Sequence, residues 1–182
     1  MPSLNAGDAA FLVLSQRRFL ACPFRKRLRA LRSGMTREWL REPYRISTAP
    51  EQLDLDVIHA FISSSYWAAG RSRERIERSI AHSLPFGLYH QKDEQLAQVG
   101  FARVITDYST FAYLADVFVL EAHRGRGLGV WLVETLLGVP ELAGVRWMLG
   151  TRDAHELYRK FEFQEAPAGR IMRRDGIDQG RA

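Results

Sequence analysis

The sequence predicts one α/β domain, α+β in character, with helices and strands mixed around a single sheet, and three observations carry that reading. A length of 182 residues accommodates one ordinary domain with a short appendage. Apolar residues make up 46% and charged residues 26%, enough of the first to fill a core without the apolar excess of a membrane protein. Apolar positions recur at helical spacing in some segments and alternate in others, so both periodicities share one core.

In chain order, Tyr44–Thr48 reads as a first strand that Ala49-Pro50 breaks. Leu53, Val57, Ile58, Phe61 and Ile62 fall on one helical face, which predicts a helix over Leu53–Ser64, followed by a loop from Ser65 to Gly70. Ser72–His82 places Ile76 and Ile80 among charges, the pattern of a helix with most of its surface in water, and Pro85 is expected to close it. Phe86–His90, Gln95–Ile105 and Phe111–Leu120 are apolar or alternating runs separated by turn chemistry, which predicts an antiparallel meander. A helix over Gly127–Leu137, a strand over Val145–Gly150, a helix over Ala154–Phe161 and short final strands at Phe163–Glu165 and Ile171–Arg173 complete the reading. The expected domain is 35–182, with its core at about 44–174.

The formal charge of +5 and the pI of about 9.7 are concentrated at one end. Residues 1–34 hold seven basic side chains against Asp8 alone, and the other 148 residues are close to neutral at −1. A basic face on the domain therefore does not follow, and nucleic acid is set aside as a partner. Residues 1–34 are read as a disordered extension, with an organellar transit peptide and a nucleic-acid arm as alternatives. A secretory signal is disfavoured because the apolar run Ala9–Leu14 is short and precedes its basic cluster. No apolar run reaches the roughly 18–20 residues that span a bilayer, so no membrane partner is expected. The single cysteine, Cys22, excludes an intramolecular disulfide framework and a thiolate-rich zinc site, and favours a cytoplasmic location.

The most informative stretch runs from the strand ending at Leu120 into Arg124-Gly125-Arg126-Gly127-Leu128-Gly129 and then a helix. A strand, a glycine-rich turn and a helix N-terminus together form an anion cradle: glycine lets the backbone approach closely, and the first-turn amides lack intrahelical partners. Arg124 and Arg126 sit at the positive end of the helix dipole, which disfavours cations by about 0.3–1 kcal/mol each unless an anion binds there. The dinucleotide fingerprint fails because Val130 stands where its last glycine belongs, and no Lys-Ser or Lys-Thr pair closes a P-loop.

This loop resembles the Arg/Gln-x-x-Gly-x-Gly/Ala signature of the GNAT acetyltransferase superfamily, and the resemblance extends over about 44–174. It implies a mixed, mostly antiparallel sheet flanked by helices and acetyl-CoA as acetyl-donor cosubstrate without a metal. Val117, Phe118 and Val119 would offer backbone groups to the pantetheine arm, and Arg124, Gly125, Arg126, Gly127, Leu128, Gly129 and Val130 would hold the pyrophosphate. Glu162 stands where many relatives have glycine, so a differently shaped turn is expected there.

Acetyl transfer to an amine requires a neutral nucleophile, a stabilised oxyanion and a protonated sulfur leaving group. Asp116, the one charge in Phe111–Leu120, is read either as the group that holds or deprotonates the amine or as a structural carboxylate. Tyr158 matches the family tyrosine that protonates the departing thiolate, the alternative being a core tyrosine. Asp153 is expected to cap the last helix, and His123 to be solvated or to assist phosphate binding. Tyr66, Trp67 and Arg71 fall in a loop where this fold builds its acceptor pocket, and packing is the competing role. The function expected is N-acetyl transfer from acetyl-CoA to a small-molecule primary amine by direct attack in a ternary complex. The alternative is a non-catalytic acyl-CoA sensor of the same fold.

Overall fold

The computed structural model describes residues 36–92, 94–172 and 174; the basic extension 1–34, Cys22 and Arg173 lie outside them. Six strands form one sheet in the order β1 to β6: Glu38–Arg41, Tyr44–Ser47, Leu84–Lys92, Gln95–Thr106, Phe111–Val119 and Arg146–Leu149. Every neighbouring pair is antiparallel except β5 with β6. Among the described residues four α-helices flank the sheet: α1 Leu55–Ser64, α2 Arg73–Ala81, α3 Leu128–Leu137 and α4 His155–Arg159. Among the described residues no helix is long and apolar enough to cross a membrane.

Local chemistry sets the boundaries. The Asp54 carboxylate accepts from the amides of Asp56 and Val57, both at 3.0 Å, and starts α1; Ser72 does the same for α2 through Arg75. Asp107 turns β4 into β5 by accepting from the amides of Ser109, Thr110 and Phe111 and from the Thr110 hydroxyl, which holds its carboxyl well below the usual range.

The sheet divides two cores. α3 buries Leu128, Leu132, Val133 and Leu136 with Ala112 and Leu114 of β5, while α1 and α2 bury Ile58, Ile62, Ile76 and Ile80 with Phe101 and Phe118. Phe118 thus faces the opposite side from Ala112 and Leu114, although even spacing would keep all three together. The reversal comes from a bulge: Phe101 pairs with Phe118 and Arg103 with Ala115, so Asp116 and Val117 together oppose Ala102. Asp116 accommodates the extra residue in the left-handed region, at φ +52°.

Four sequence expectations are corrected. Pro85 does not close α2, which ends at Ala81; it lies inside β3, paired with Arg103 at a point that β2 does not reach, so its missing N–H costs no ladder bond on that side. Glu38–Arg41 is a strand that lacks apolar alternation, because only Trp39 is even half-buried. Phe163–Glu165 and Ile171-Met172 are irregular rather than strands. Glu162 keeps a turn of glycine type, at φ +63°, despite its side chain.

Gly100 is fixed by close approach, since a Cβ there would stand 2.7 Å from the Phe118 carbonyl oxygen. Gly100→Ala should therefore lower the unfolding free energy by about 1–3 kcal/mol in urea titration. An unchanged midpoint would show that β5 yields freely at this point.

Candidate active site

β5 has β6 beside it only from Phe111 to Leu114, so Ala115–Val119 leaves an edge open. Phe118 pairs with Phe101 and the Leu120 amide donates to the Val99 carbonyl, an alternation that turns Phe118's backbone groups toward β4 and Val119's toward the cleft. The Val119 carbonyl accepts from Arg124 Nε at 3.0 Å on that open side. Of the three positions expected to meet pantetheine, Phe118 is turned away, with its ring stacked on Phe61 at a centroid distance of 4.0 Å.

The cradle takes the predicted form. Gly125 and Gly127 adopt φ +75° and +74°, and Gly127 is the N-cap of α3. The first amide of this turn to find a helical acceptor is that of Trp131, bonded to the Gly127 carbonyl; those of Gly125 to Val130 donate to no described residue. A hollow of about 230 Å³ between them is bounded by Val119, His123, Leu157 and the loop, with no acidic side chain in its wall among the described residues. Arg41 of β1, which sequence reasoning missed, brings its guanidinium to 3.7 Å from the position of a Cβ on Gly127. This donor set and charge suit a diphosphate. His123 is not simply solvated: its Nδ1 lies 3.2 Å from the Tyr44 hydroxyl, and burial, His90 and Arg126 hold its pKa below the usual value.

A second cavity of about 230 Å³ opens beside the free edge and brings Tyr66, Trp67, Arg71, Asp116 and Tyr158 together. Asp116 is 7% exposed, and its two oxygens serve several donors. Arg103 Nε donates at 2.6 Å, Trp67 Nε1 at 3.2 Å, and Arg71 Nη1 to both oxygens at 3.3 and 3.4 Å. Tyr66 reaches the opposite wall, where its hydroxyl accepts from the Arg152 amide at 2.9 Å and donates to Asp153 at 3.4 Å. The Arg152 guanidinium covers the Tyr66 ring at 3.8 Å. Asp153 therefore does not cap α4; Ala154 is the N-cap and its amide bonds the Thr151 hydroxyl. Tyr158 is 8% exposed, yet its hydroxyl bonds no described residue. Burial first, then Tyr66, Asp153 and Tyr113, pushes this phenol up to about 12.

Arg103 is the member of this group that sequence reasoning missed. The signal was available, since a lone arginine in Val99–Ile105 is as anomalous as Asp116 in its own strand, and the antiparallel register sets the two side by side.

A family model described as an acetyltransferase (GNAT) domain matches residues 87–165, which include the cradle, Asp116 and Tyr158 but not Tyr66, Trp67 or Arg71. The Gibberella zeae protein FG08082, named for an inferred acetyltransferase activity, is 36% identical over 142 residues, which are 67% of this chain and 79% of that protein. The chain belongs to the GNAT acetyltransferase family. A Xanthomonas campestris protein assigned to the GNAT family has a crystal structure that superposes with a TM-score of 0.67 at 41% identity, over 73% of this chain and 93% of that one. Rv2747 of Mycobacterium tuberculosis, determined in complex with CoA and NLQ, shares the GNAT fold at 17% identity and a TM-score of 0.55, over 70% and 75% of the two chains. Membership brings acetyl transfer in general, with acetyl-CoA as the family's donor.

Asp116→Ala would leave the Arg103 guanidinium buried without its carboxylate. Unfolding free energy should then fall by about 3–5 kcal/mol in denaturant titration. A loss below about 1 kcal/mol would mean that the bulge stands without this ion pair.

Proposed function

We propose that this GNAT protein is an N-acetyltransferase that moves the acetyl group of acetyl-CoA to a primary amine by direct attack within a ternary complex. The observation that carries the reading is the buried Tyr158 phenol, whose hydroxyl has no partner among the described residues and borders the cavity beside the open edge of β5.

In this reading, the free amides from Gly125 to Val130, with Arg124 and Arg126, hold the diphosphate. Val117 and Val119 hold the pantetheine arm along the open edge, and the thioester lies near Tyr158. The acceptor nitrogen forms its bond to the acetyl carbon, the carbon–sulfur bond breaks, the amine loses one proton and the sulfur leaves as a thiol. A lysine-like amine must first become neutral, which costs about 4.6 kcal/mol at pH 7, so the rate should climb with pH. Tyr158 remains a donor over that range because its phenol is pushed up to about 12. Complete transfer from such an acid to a thiolate of ordinary pKa is uphill by about 5 kcal/mol, so its main contribution is a hydrogen bond to the charge developing on sulfur. Asp116, whose oxygens are occupied by Arg103, Arg71 and Trp67, acts as a positioning residue for this wall.

Tyr158→Phe should lower kcat about 10- to 100-fold in a thiol-release assay and leave acetyl-CoA affinity within about twofold. The wild-type profile should show no descending limb below about pH 11, as expected for a phenol raised by burial. An unchanged kcat in the variant would remove Tyr158 from the chemistry. Gly127→Val, which forces a β-branched residue into the left-handed region at φ +74°, should weaken acetyl-CoA at least about tenfold in calorimetry. Full affinity would dissociate the cradle from the cosubstrate. Thiol release with an amine, accompanied by a product heavier by one acetyl unit, separates this enzyme from an acyl-CoA sensor.

A further inference from the structure

The acceptor cavity holds more positive donors than its own carboxylates use. Two guanidinium groups, Arg71 and Arg103, converge on the single carboxylate of Asp116. Arg103 is 8% exposed and spends only Nε on Asp116; its Nη1 and Nη2 donate to no described residue, and the side chain lines the cavity. Arg71 is bound through Nη1 alone among the described residues, at 3.3 and 3.4 Å, and its Nη2 and Nε on the same wall donate to none of them. The other carboxylate of the cavity, Asp153, takes the Tyr66 hydroxyl and has the Arg152 guanidinium over that same ring. Beside Asp116 two guanidinium charges thus face one carboxylate on the cavity wall, and N–H groups of both arginines donate to no described residue.

We infer that the acceptor is an amine that also carries a carboxylate, an amino acid or a close analogue, whose carboxylate docks on Arg71 and Arg103. This rests on the acetyltransferase reading above and names the substrate class of that same cavity. A guanidinium fork matches a carboxylate in two parallel hydrogen bonds, and a single negative charge closes the balance that Asp116 leaves open. The cavity volume of about 230 Å³ suits a molecule of amino-acid size, and Tyr66, Trp67, Tyr113, Ile105 and Val117 give it an apolar wall. The substrate amine then lies toward the Tyr158 end, where its nitrogen takes the acetyl group as the carbon–sulfur bond breaks and one proton leaves the nitrogen.

The test compares matched acceptors on the full chain: phenylalanine with 2-phenylethylamine, leucine with 3-methylbutylamine, and phosphoethanolamine as the phosphate counterpart. The carboxylates should lead their decarboxylated partners by about tenfold or more in kcat/KM, the effect of a charge-assisted hydrogen-bond pair. Arg71→Ala should abolish that lead by raising the acceptor KM while acetyl-CoA affinity stays within twofold, and Arg71→Lys should restore part of it. Calorimetry with the products gives a readout that needs no turnover: N-acetylphenylalanine should bind about tenfold or more tightly than N-acetyl-2-phenylethylamine. Equal binding of the two products, equal use of amines with and without the carboxylate, or a preference for phosphoethanolamine overturns the inference while leaving the acetyltransferase intact. Absence of acetyl-CoA binding, measured in the same calorimeter, overturns the acetyltransferase reading itself.

Discussion

Asp116 occupies the point where β5 carries one residue more than its partner strand, and its carboxylate ties that irregularity to Arg103 across the ladder at 2.6 Å. A non-glycine residue at φ +52° costs on the order of 1–3 kcal/mol, least for aspartate and asparagine, whose short polar side chains bond nearby groups. A charge-assisted hydrogen bond to a buried guanidinium returns about 1.5–3 kcal/mol, so the strained backbone and the ion pair hold each other in place. The consequence is geometric. Beyond the bulge the strand exchanges faces, so Phe118 closes the core of α1 and α2 while Val117 and Val119 turn to the core of α3.

The same place marks the parting of β5 from β6, whose pairing ends at Leu114 and Leu149. Strand separation leaves backbone donors and acceptors facing a cleft, and the glycine-rich turn that follows adds, at its far end, amides that donate to no described residue, together with arginines. An extended ligand with a diphosphate at one end and an amide-bearing arm at the other satisfies both sets at once. Arg71 and Trp67 reach Asp116 from the loop after α1, while Tyr66 reaches Asp153 from that same loop, so one aromatic and basic segment closes the cavity from two sides. The wall of the second cavity and the strand geometry at the open edge of β5 thus meet at one carboxylate.

Much of this is legible in the sequence. Periodicity located both early helices, the meander and the long helix after the loop, because those elements bury a repeating apolar face. The glycine spacing at Gly125 and Gly127 gave the cradle, since the left-handed turn it requires is a local property of the chain. Where burial is slight or one-sided the signal vanished: Glu38–Arg41 forms a strand with only one half-buried side chain, and Pro85 enters β3 at a point that β2 does not reach.

The sequence by itself determined most of the elements, the loop that suits a polyanion and Asp116 as a charge out of keeping with its apolar strand, while Tyr158 was singled out by the family resemblance. Those properties are written in residues adjacent along the chain. Only the tertiary structure decided that Arg103 and Arg71 share Asp116, that Phe118's backbone turns from the cleft, and that Asp153 meets Tyr66 instead of capping its helix. The Arg103 contact and the orientation of Phe118 are set by sheet register at the bulge, and the Arg71 and Asp153 contacts by the loop after α1 folding over that sheet; neither leaves a pattern in residues adjacent along the chain.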